Sequence, residues 1–289
     1  MKPYFSLITS TVGRAIALER LLKSLETQTY QAFELILVDQ SQDNQIQSLA
    51  RQYQFTFPLQ YINAQNQQGV SMGRNLGLQQ AKGNLIAIPD DDCWYSPLVL
   101  QTVTQWFEEN PNYDGLCGRS VDLEGKLTSC RWDNRSGDMN KHNIWRRAIG
   151  STIFLKARVI QEVGYFDTQL GSGTHTPWQC GEETDYLLRA LAQGFKLYYS
   201  IDLEIYHLEP ILAYPQALMK RAKGYGLGYG YMLRKHRYPI PFMVWQIIRP
   251  LGGTILSLAE CKIDKAKYHW TIALRRLQGM LMSNENYPT

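Results

Sequence analysis

Along the first ninety residues, short apolar runs alternate with segments whose apolar side chains recur at helical spacing. Tyr4–Thr9 (YFSLIT) is the first run, and Ala15–Thr27 follows with Ile16, Leu18, Leu21, Leu22 and Leu25 along one stripe. Phe33–Val38 (FELILV) leads directly into Asp39, Asn44–Gln54 reads as a helix, and Leu59–Asn63 as a third strand. Val70–Ala81 is a helix closed by Gly83, before the fourth run, Leu85–Ile88. These runs alternate with the helical segments in βαβα order, through short connections. They predict an α/β protein with a parallel, doubly wound sheet and helices on both faces.

Beyond this point the pattern loosens. Tyr113–Gly118 and Ser151–Leu155 are strand-like, Arg158–Val163 is a short helix, and Arg119–Arg147 is polar without a clear period. Glu182–Gln193 places Tyr186, Leu187, Ala190 and Leu191 on one helical face, and Phe195–Ser200 and Leu203–Tyr206 read as two strands. At Glu209–Pro210 the composition changes abruptly. Residues 210–289 hold twelve Lys and Arg against three acids, whereas the rest of the chain is net acidic. This divides the chain into a domain of residues 1–209 and a basic, amphipathic, helical extension of residues 210–289, with an anionic partner expected for the extension.

In an open parallel sheet the ligand crevice lies beyond the carboxyl ends of the strands. Two predicted strands end there on acids: Val38 runs into Asp39, and Ile88–Pro89 into Asp90, Asp91 and Asp92. Three adjacent carboxylates repel one another unless a cation or donors neutralise them. A divalent metal held by oxygen ligands and a phosphate-bearing substrate would do so; a solvated acidic turn ahead of a helix near Ser96–Pro97 is the plainer alternative.

Four segments extend this picture: SLITSTVGRAIALERLLKSLETQTYQAFELILVDQ, GVSMGRNLGLQQAKGNLIAIPDDDCW, GSTIFLKARVIQEVGYFDTQLG and GEETDYLLRALAQGFKLYYSIDLEIYH. In order and spacing, over roughly residues 4–208, they resemble the family 2 glycosyltransferases. The resemblance implies a GT-A fold with a mostly parallel nucleotide-binding sheet, residues 1–118 forming the donor half and 119–209 the acceptor half. It implies that Asp39 binds the donor nucleoside, that Asp90, Asp91 and Asp92 form an Asp-x-Asp motif at the donor, whose ends Asp90 and Asp92 hold the metal and the donor's ribose and diphosphate, and that Arg74 faces the diphosphate. Gly171, Ser172 and Gly173 correspond to a glycine loop at the donor site, and His207 to a metal-ligating histidine. In Glu182, Glu183 and Asp185 the resemblance places the acidic motif, with Glu183 as the base of an inverting enzyme. Such a base must sit opposite the leaving nucleoside diphosphate to take the acceptor proton. Acids in a first helical turn are also favoured by the helix dipole alone. The implied cofactor is Mg²⁺ or Mn²⁺. The implied partners are a nucleotide-sugar donor and a saccharide or lipid-linked acceptor. The chain departs from the family at Ser10, Gly13, Gln40, Cys93 and Glu183, where Pro, Asn, Asp, Asp and Asp are usual.

Other readings fit less well. The loop after the first run, Ser10 to Arg14, has one glycine, so neither a triphosphate cradle nor the G-x-G-x-x-G of dinucleotide enzymes is present. A GT-A domain that has lost catalysis and only binds saccharide or membrane is the alternative, opposed by the retained acids. No nucleic-acid motif accompanies the basic extension, and no nucleic-acid partner is expected. Five scattered cysteines without CxxC spacing fit a reducing cytosol, and MKPYFSLITST lacks the apolar core of a signal peptide. Lys220, Arg221 and Lys223, then glycines and tyrosines, then Arg234, Lys235 and Arg237 precede the apolar stretch Phe242–Ala259. Bases and aromatics beside an apolar segment suit peripheral attachment to an anionic membrane surface, on the cytoplasmic side. Arg249, Pro250 and Gly252–Gly253 make a poor spanning helix.

Overall fold

The computed structural model describes residues 4–54, 56–207 and 215–282. The compositional boundary at Glu209–Pro210 lies outside the described residues. Those described fall into two compact units, one from Tyr4 to Phe166 with Tyr186 to His207, the other from Asp167 to Asp185 with Pro215 onward.

The first unit is built on a mixed sheet of order β3-β2-β1-β4-β8-β6-β9-β5, with β7 paired to β9. Its first half is the expected parallel array: β1 (Phe5–Thr11), β2 (Phe33–Asp39), β3 (Leu59–Asn63) and β4 (Leu85–Ala87). Every residue of β2 is buried, as a strand covered on both faces must be. The helix α1 (Ala15–Glu26) buries Leu18, Leu21, Leu22 and Leu25, an i, i+3, i+4, i+7 stripe. Each such leucine is worth about 1.5–3 kcal/mol over an exposed one. Helices α2 (Gln45–Tyr53), α3 (Val70–Leu78) and α4 (Val99–Glu109) complete the flanking layers.

The second half of the sheet is where the parallel expectation gives way. β8 (Ile153–Lys156) runs antiparallel between β4 and β6 (Gly115–Val121), and the two-residue strands β5 (Cys93–Trp94) and β7 (Gly137–Asp138) run antiparallel to β9. A helix α5 (Ala157–Val163) follows β8. The two strands expected around Ser200 are one, β9 (Leu197–His207). The polar interruption at Ser200–Asp202 is an irregularity in the pairing with β6, whose register shifts between Cys117 and Arg119. Gly118 permits it, because a Cβ there would press on the Leu203 carbonyl.

Helix α6 (Glu182–Ala192) begins in the second unit, which otherwise holds α7 (Pro215–Lys235), α8 (Ile240–Ala259) and α9 (Ile263–Leu281). The glycines of α7 are used in two pairs. A Cβ on Gly224 or Gly228 would meet Gln179 and Cys180, and one on Gly226 or Gly230 would meet Arg275 and Arg276 of α9. Glycine therefore lets α7 be approached closely from both sides. Pro250 does not break α8. A proline cannot donate to the carbonyl four residues back, and Arg276 Nη1 supplies the missing donor to the Gln246 carbonyl at 2.8 Å.

Candidate active site

The acids end β4 inside a short loop, and β5 returns antiparallel to β9 with Cys93 opposite His207 and Trp94 opposite Tyr206. Pairing across that ladder brings a residue more than a hundred positions away next to the acids. Ligand atoms of Asp90, Asp92 and His207 all lie within 4.8 Å of one another. His207 Nε2 is 3.2 Å from Asp92 Oδ1, and Ser129 Oγ is 3.4 Å from His207 Nδ1. A partner on Nδ1 orients the ring with Nε2 toward the carboxylates, the arrangement metal-binding histidines use.

The three aspartates do not share one role. Asp90 and Asp92 are partly exposed, whereas Asp91 is fully buried. Asp91 Oδ2 accepts from Thr11 Oγ1 at 2.6 Å and Arg14 Nε at 3.0 Å, and Arg14 Nη2 pairs with Oδ1. Arg14 Nη1 also reaches Asp92 Oδ2 at 2.5 Å. Burial, against the pull of Arg14, pushes the Asp91 carboxyl up to about 6. Burial acts on Asp92 too, but the His207 hydrogen bond and Arg14 outweigh it and hold the Asp92 carboxyl at about 2. Burial likewise drives the Cys93 thiol upward.

Arg74 is buried, not a surface residue. It sits on α3, donates from Nη2 to Asp90 Oδ1 at 2.9 Å and lies over the Phe166 ring. Gly150 makes room for it, since a Cβ there would lie 2.6 Å from Arg74 Nη2. Asp39 is fully buried, accepting from Tyr61 Oη at 2.7 Å and from the Ser41 amide at 2.9 Å. It pairs across the sheet with Thr11, so Asp39 and the Asp91 anchor are neighbours through β1.

Two departures from the family pattern turn out to be partners. Ser10 Oγ donates to Gln40 Oε1 at 2.8 Å, and Gln40 Nε2 donates to the carbonyls of Gln67 and Gly69. A proline at position 10 would offer no such donor. Gly13 takes φ +66°, the left-handed region that Asn tolerates next best.

In the second unit, Gly171 and Gly173 both have positive φ, and their amides donate to the Trp178 carbonyl and Gln179 Oε1. Ser172 Oγ is 3.4 Å from the Gln179 carbonyl, so the loop is closed on its own chain. Within the first turn of α6 the acids also diverge. Asp185 is fully buried, with Lys235 Nζ at 2.8 Å and His236 Nε2 at 2.9 Å. Glu182 is buried, and Glu183 is the more open of the three.

The residues that sequence reasoning missed are Arg14 and Thr11. The signal was present, as the lone basic residue in the turn after the first strand, but its target became visible only through the sheet. Arg14→Met leaves the buried Asp91 carboxylate without its cation. Because Arg14 itself is half-exposed, the expected loss is about 1–3 kcal/mol, less than for a fully buried pair. Adding Asp91→Asn should recover part of it, since a neutral amide needs no counter-charge. Denaturation midpoints of the two single variants and the double variant check this, and additive losses would contradict it.

The sequence model for "Glycosyl transferase family 2" matches residues 6–165, more than half of the chain and all of the loop that carries the acids. The chain belongs to this family. It is similar to "Glycosyltransferase AglE" of Haloferax volcanii, 26% identical over 216 residues, covering 70% of this chain and 66% of that protein. It also resembles the "GalNAc(5)-diNAcBac-PP-undecaprenol beta-1,3-glucosyltransferase" of Campylobacter jejuni, 30% identical over 129 residues, 44% of this chain and 41% of that one. The matched region thus spans about two thirds or less of these curated relatives. Among solved structures, the mannosyltransferase PcManGT of Pyrobaculum calidifontis, in complex with GDP-Man and Mn²⁺, superposes with a TM-score of 0.65 at 15% identity, covering 96% of this chain and 88% of that one. S. aureus TarS 1–349 in complex with UDP-GlcNAc gives 0.61 at 16% identity, covering 96% and 92%. These likenesses establish the GT-A type of fold.

Proposed function

We propose that the chain is an inverting, divalent-metal-dependent glycosyltransferase that moves a sugar from a nucleotide-sugar donor to a saccharide or lipid-linked acceptor. The observation that carries this reading is the meeting of Asp90, Asp92 and His207 at the mouth of the sheet in a family 2 chain. Two carboxylates and one imidazole are a donor set that fits Mn²⁺ or Mg²⁺. Held there by Asp90, Asp92 and His207, the ion would offset negative charge on the departing nucleoside diphosphate.

The protein's own groups take the remaining tasks. In this reading Arg74, paired with Asp90, meets a diphosphate oxygen of the donor and Asp39 its nucleoside. The closed loop at Gly171–Gly173 is assigned to the donor. Asp185 is ion-paired with Lys235 and in hydrogen-bond contact with His236, which argues against it as a proton acceptor and favours Glu183. Residues 1–209 are read as the catalytic part and residues 210–289 as an extension facing an anionic membrane surface on the cytoplasmic side. The bound ligands named for PcManGT and TarS, and the undecaprenol-linked substrate named for the Campylobacter relative, support the choice of donor and acceptor classes.

A panel of nucleotide sugars, assayed by thermal shift and by donor hydrolysis with and without Mn²⁺, tests the proposal. One donor should raise Tm only with metal and be slowly hydrolysed. Metal-dependent binding without any hydrolysis or transfer would favour an inactive saccharide-binding domain, and no binding at all would overturn both readings.

A further inference from the structure

Helix α8 is built inside out. Its buried positions include Gln246, at 6% exposure, and Ser257, at 2%. Gln246 Oε1 accepts from Tyr229 Oη of α7 at 3.1 Å, and its carbonyl accepts from Arg276 of α9. The outward face is apolar: Val244, Trp245, Ile248, Ile255 and Leu256 are all exposed, the last two by more than 65%. Their spacing is i, i+1, i+4, i+11, i+12, one stripe of a 3.6-residue helix. A helix on a water-facing surface shows the reverse pattern, with its polar residues outward.

The neighbouring helix repeats it. Trp270, Leu274, Leu277 and Leu281 of α9 are exposed at i, i+4, i+7 and i+11, and α9 is the helix against which α8 packs. Two adjacent helices that both direct an apolar stripe outward, each with a tryptophan on it, are more than the scattered apolar residues normal on a surface.

Charge decides what covers this face. From Pro215 to Leu281 there are twelve Lys and Arg residues against two acids, Glu260 and Asp264. Arg234, Arg237, Arg249 and Lys265 are among the exposed ones. Arg249 borders the stripe at its middle, and its long stem can carry the charge up to the headgroups while the neighbouring Ile248 goes down. Although α8 is long and apolar enough to cross a bilayer, a span would leave Arg249 at mid-depth. Lying flat costs no such burial, and it places tryptophan rings and bases at the headgroup level where each is favoured.

We propose that the outward stripes of α8 and α9 form a monotopic docking face for an anionic phospholipid surface, lying in the interface rather than crossing it. This deepens the membrane part of the functional reading and is independent of the transfer chemistry.

The full-length protein is mixed with phosphatidylcholine vesicles, alone or with one third phosphatidylglycerol, and sedimented. Binding is expected to the anionic vesicles and to be at least ~10-fold weaker to the neutral ones. It should weaken strongly in about 1 M salt, where the Debye length is roughly 3 Å. Ile248→Asp and Leu256→Asp, at exposed positions, should each lower vesicle affinity by roughly 10- to 100-fold with Tm unchanged. Asp92→Asn should bind vesicles like the wild type, so that failure of the transferase reading and failure of this one are told apart. Three results overturn the proposal. They are no vesicle binding by a monodisperse protein, release only by detergent, or a self-association that Ile248→Asp abolishes while vesicle binding is absent.

Discussion

Glu183→Gln is expected to keep donor binding and lose turnover by roughly 10²–10⁴-fold, the usual worth of a general base. The substitution preserves volume and removes only the proton acceptor. Glu183 is the most open of the three acids in the first turn of α6. Its neighbours give the control. Asp185→Asn takes a negative charge away from Lys235 and His236, so its first effect should be on Tm rather than on the chemical step. Glu182→Gln, at a buried position, should likewise act through folding. Donor affinity, kcat and Tm measured on all three variants separate these effects. A dead Glu182→Gln or Asp185→Asn of normal stability beside an active Glu183→Gln would move the base elsewhere. A product that retains the donor's anomeric configuration would remove the need for a base altogether.

Asp92→Ala is expected to abolish Mn²⁺ binding and to lower metal-supported transfer by roughly 10²–10³-fold or more, a Lewis acid being worth several kcal/mol. Folding should tolerate the change. Asp92 is one third exposed and shares Arg14 with Asp91, and an exposed ion pair contributes only about 0–1 kcal/mol. Its removal also relieves repulsion among three adjacent acids. Mn²⁺ titration by calorimetry reads the binding directly, apart from any turnover. Transfer at near wild-type rate by Asp92→Ala, or an undiminished wild type in excess EDTA, would defeat the assignment of a metal to this cluster.

The two variants divide what was legible in the chain. Periodicity placed β1 to β4 and α1 to α3 nearly to their ends, because parallel strands buried on both faces and amphipathic helices write their burial into local sequence. The acids after β4 were legible for a related reason, since a run of like charges directly after a buried strand is costly without a purpose. By contrast, the orientation of β8 was not legible. IFLK is equally apolar whether its neighbours run with it or against it, and strand direction is set by pairing between distant residues.

The same limit applies within the site. Asp90, Asp91 and Asp92 are chemically identical in sequence, and only the fold turns the middle one inward onto Arg14 and Thr11. Nothing local ties His207 to Asp92; the two-residue strand β5, too short to show a period, does it by pairing with β9. Asp185 belongs to an acidic motif in sequence, yet α7 makes it a buried ion-pair anchor. In the extension, composition revealed a basic, apolar segment, but the inside-out polarity of α8 depends on which face Tyr229 and Arg276 occupy. Sequence by itself determined the elements from β1 to β4, the family and the residue types at the site, because these follow from short-range pattern and local cost. Tertiary structure alone decided which of those residues meet, because ion pairs and ladders join positions far apart in the chain and are fixed only when the core closes.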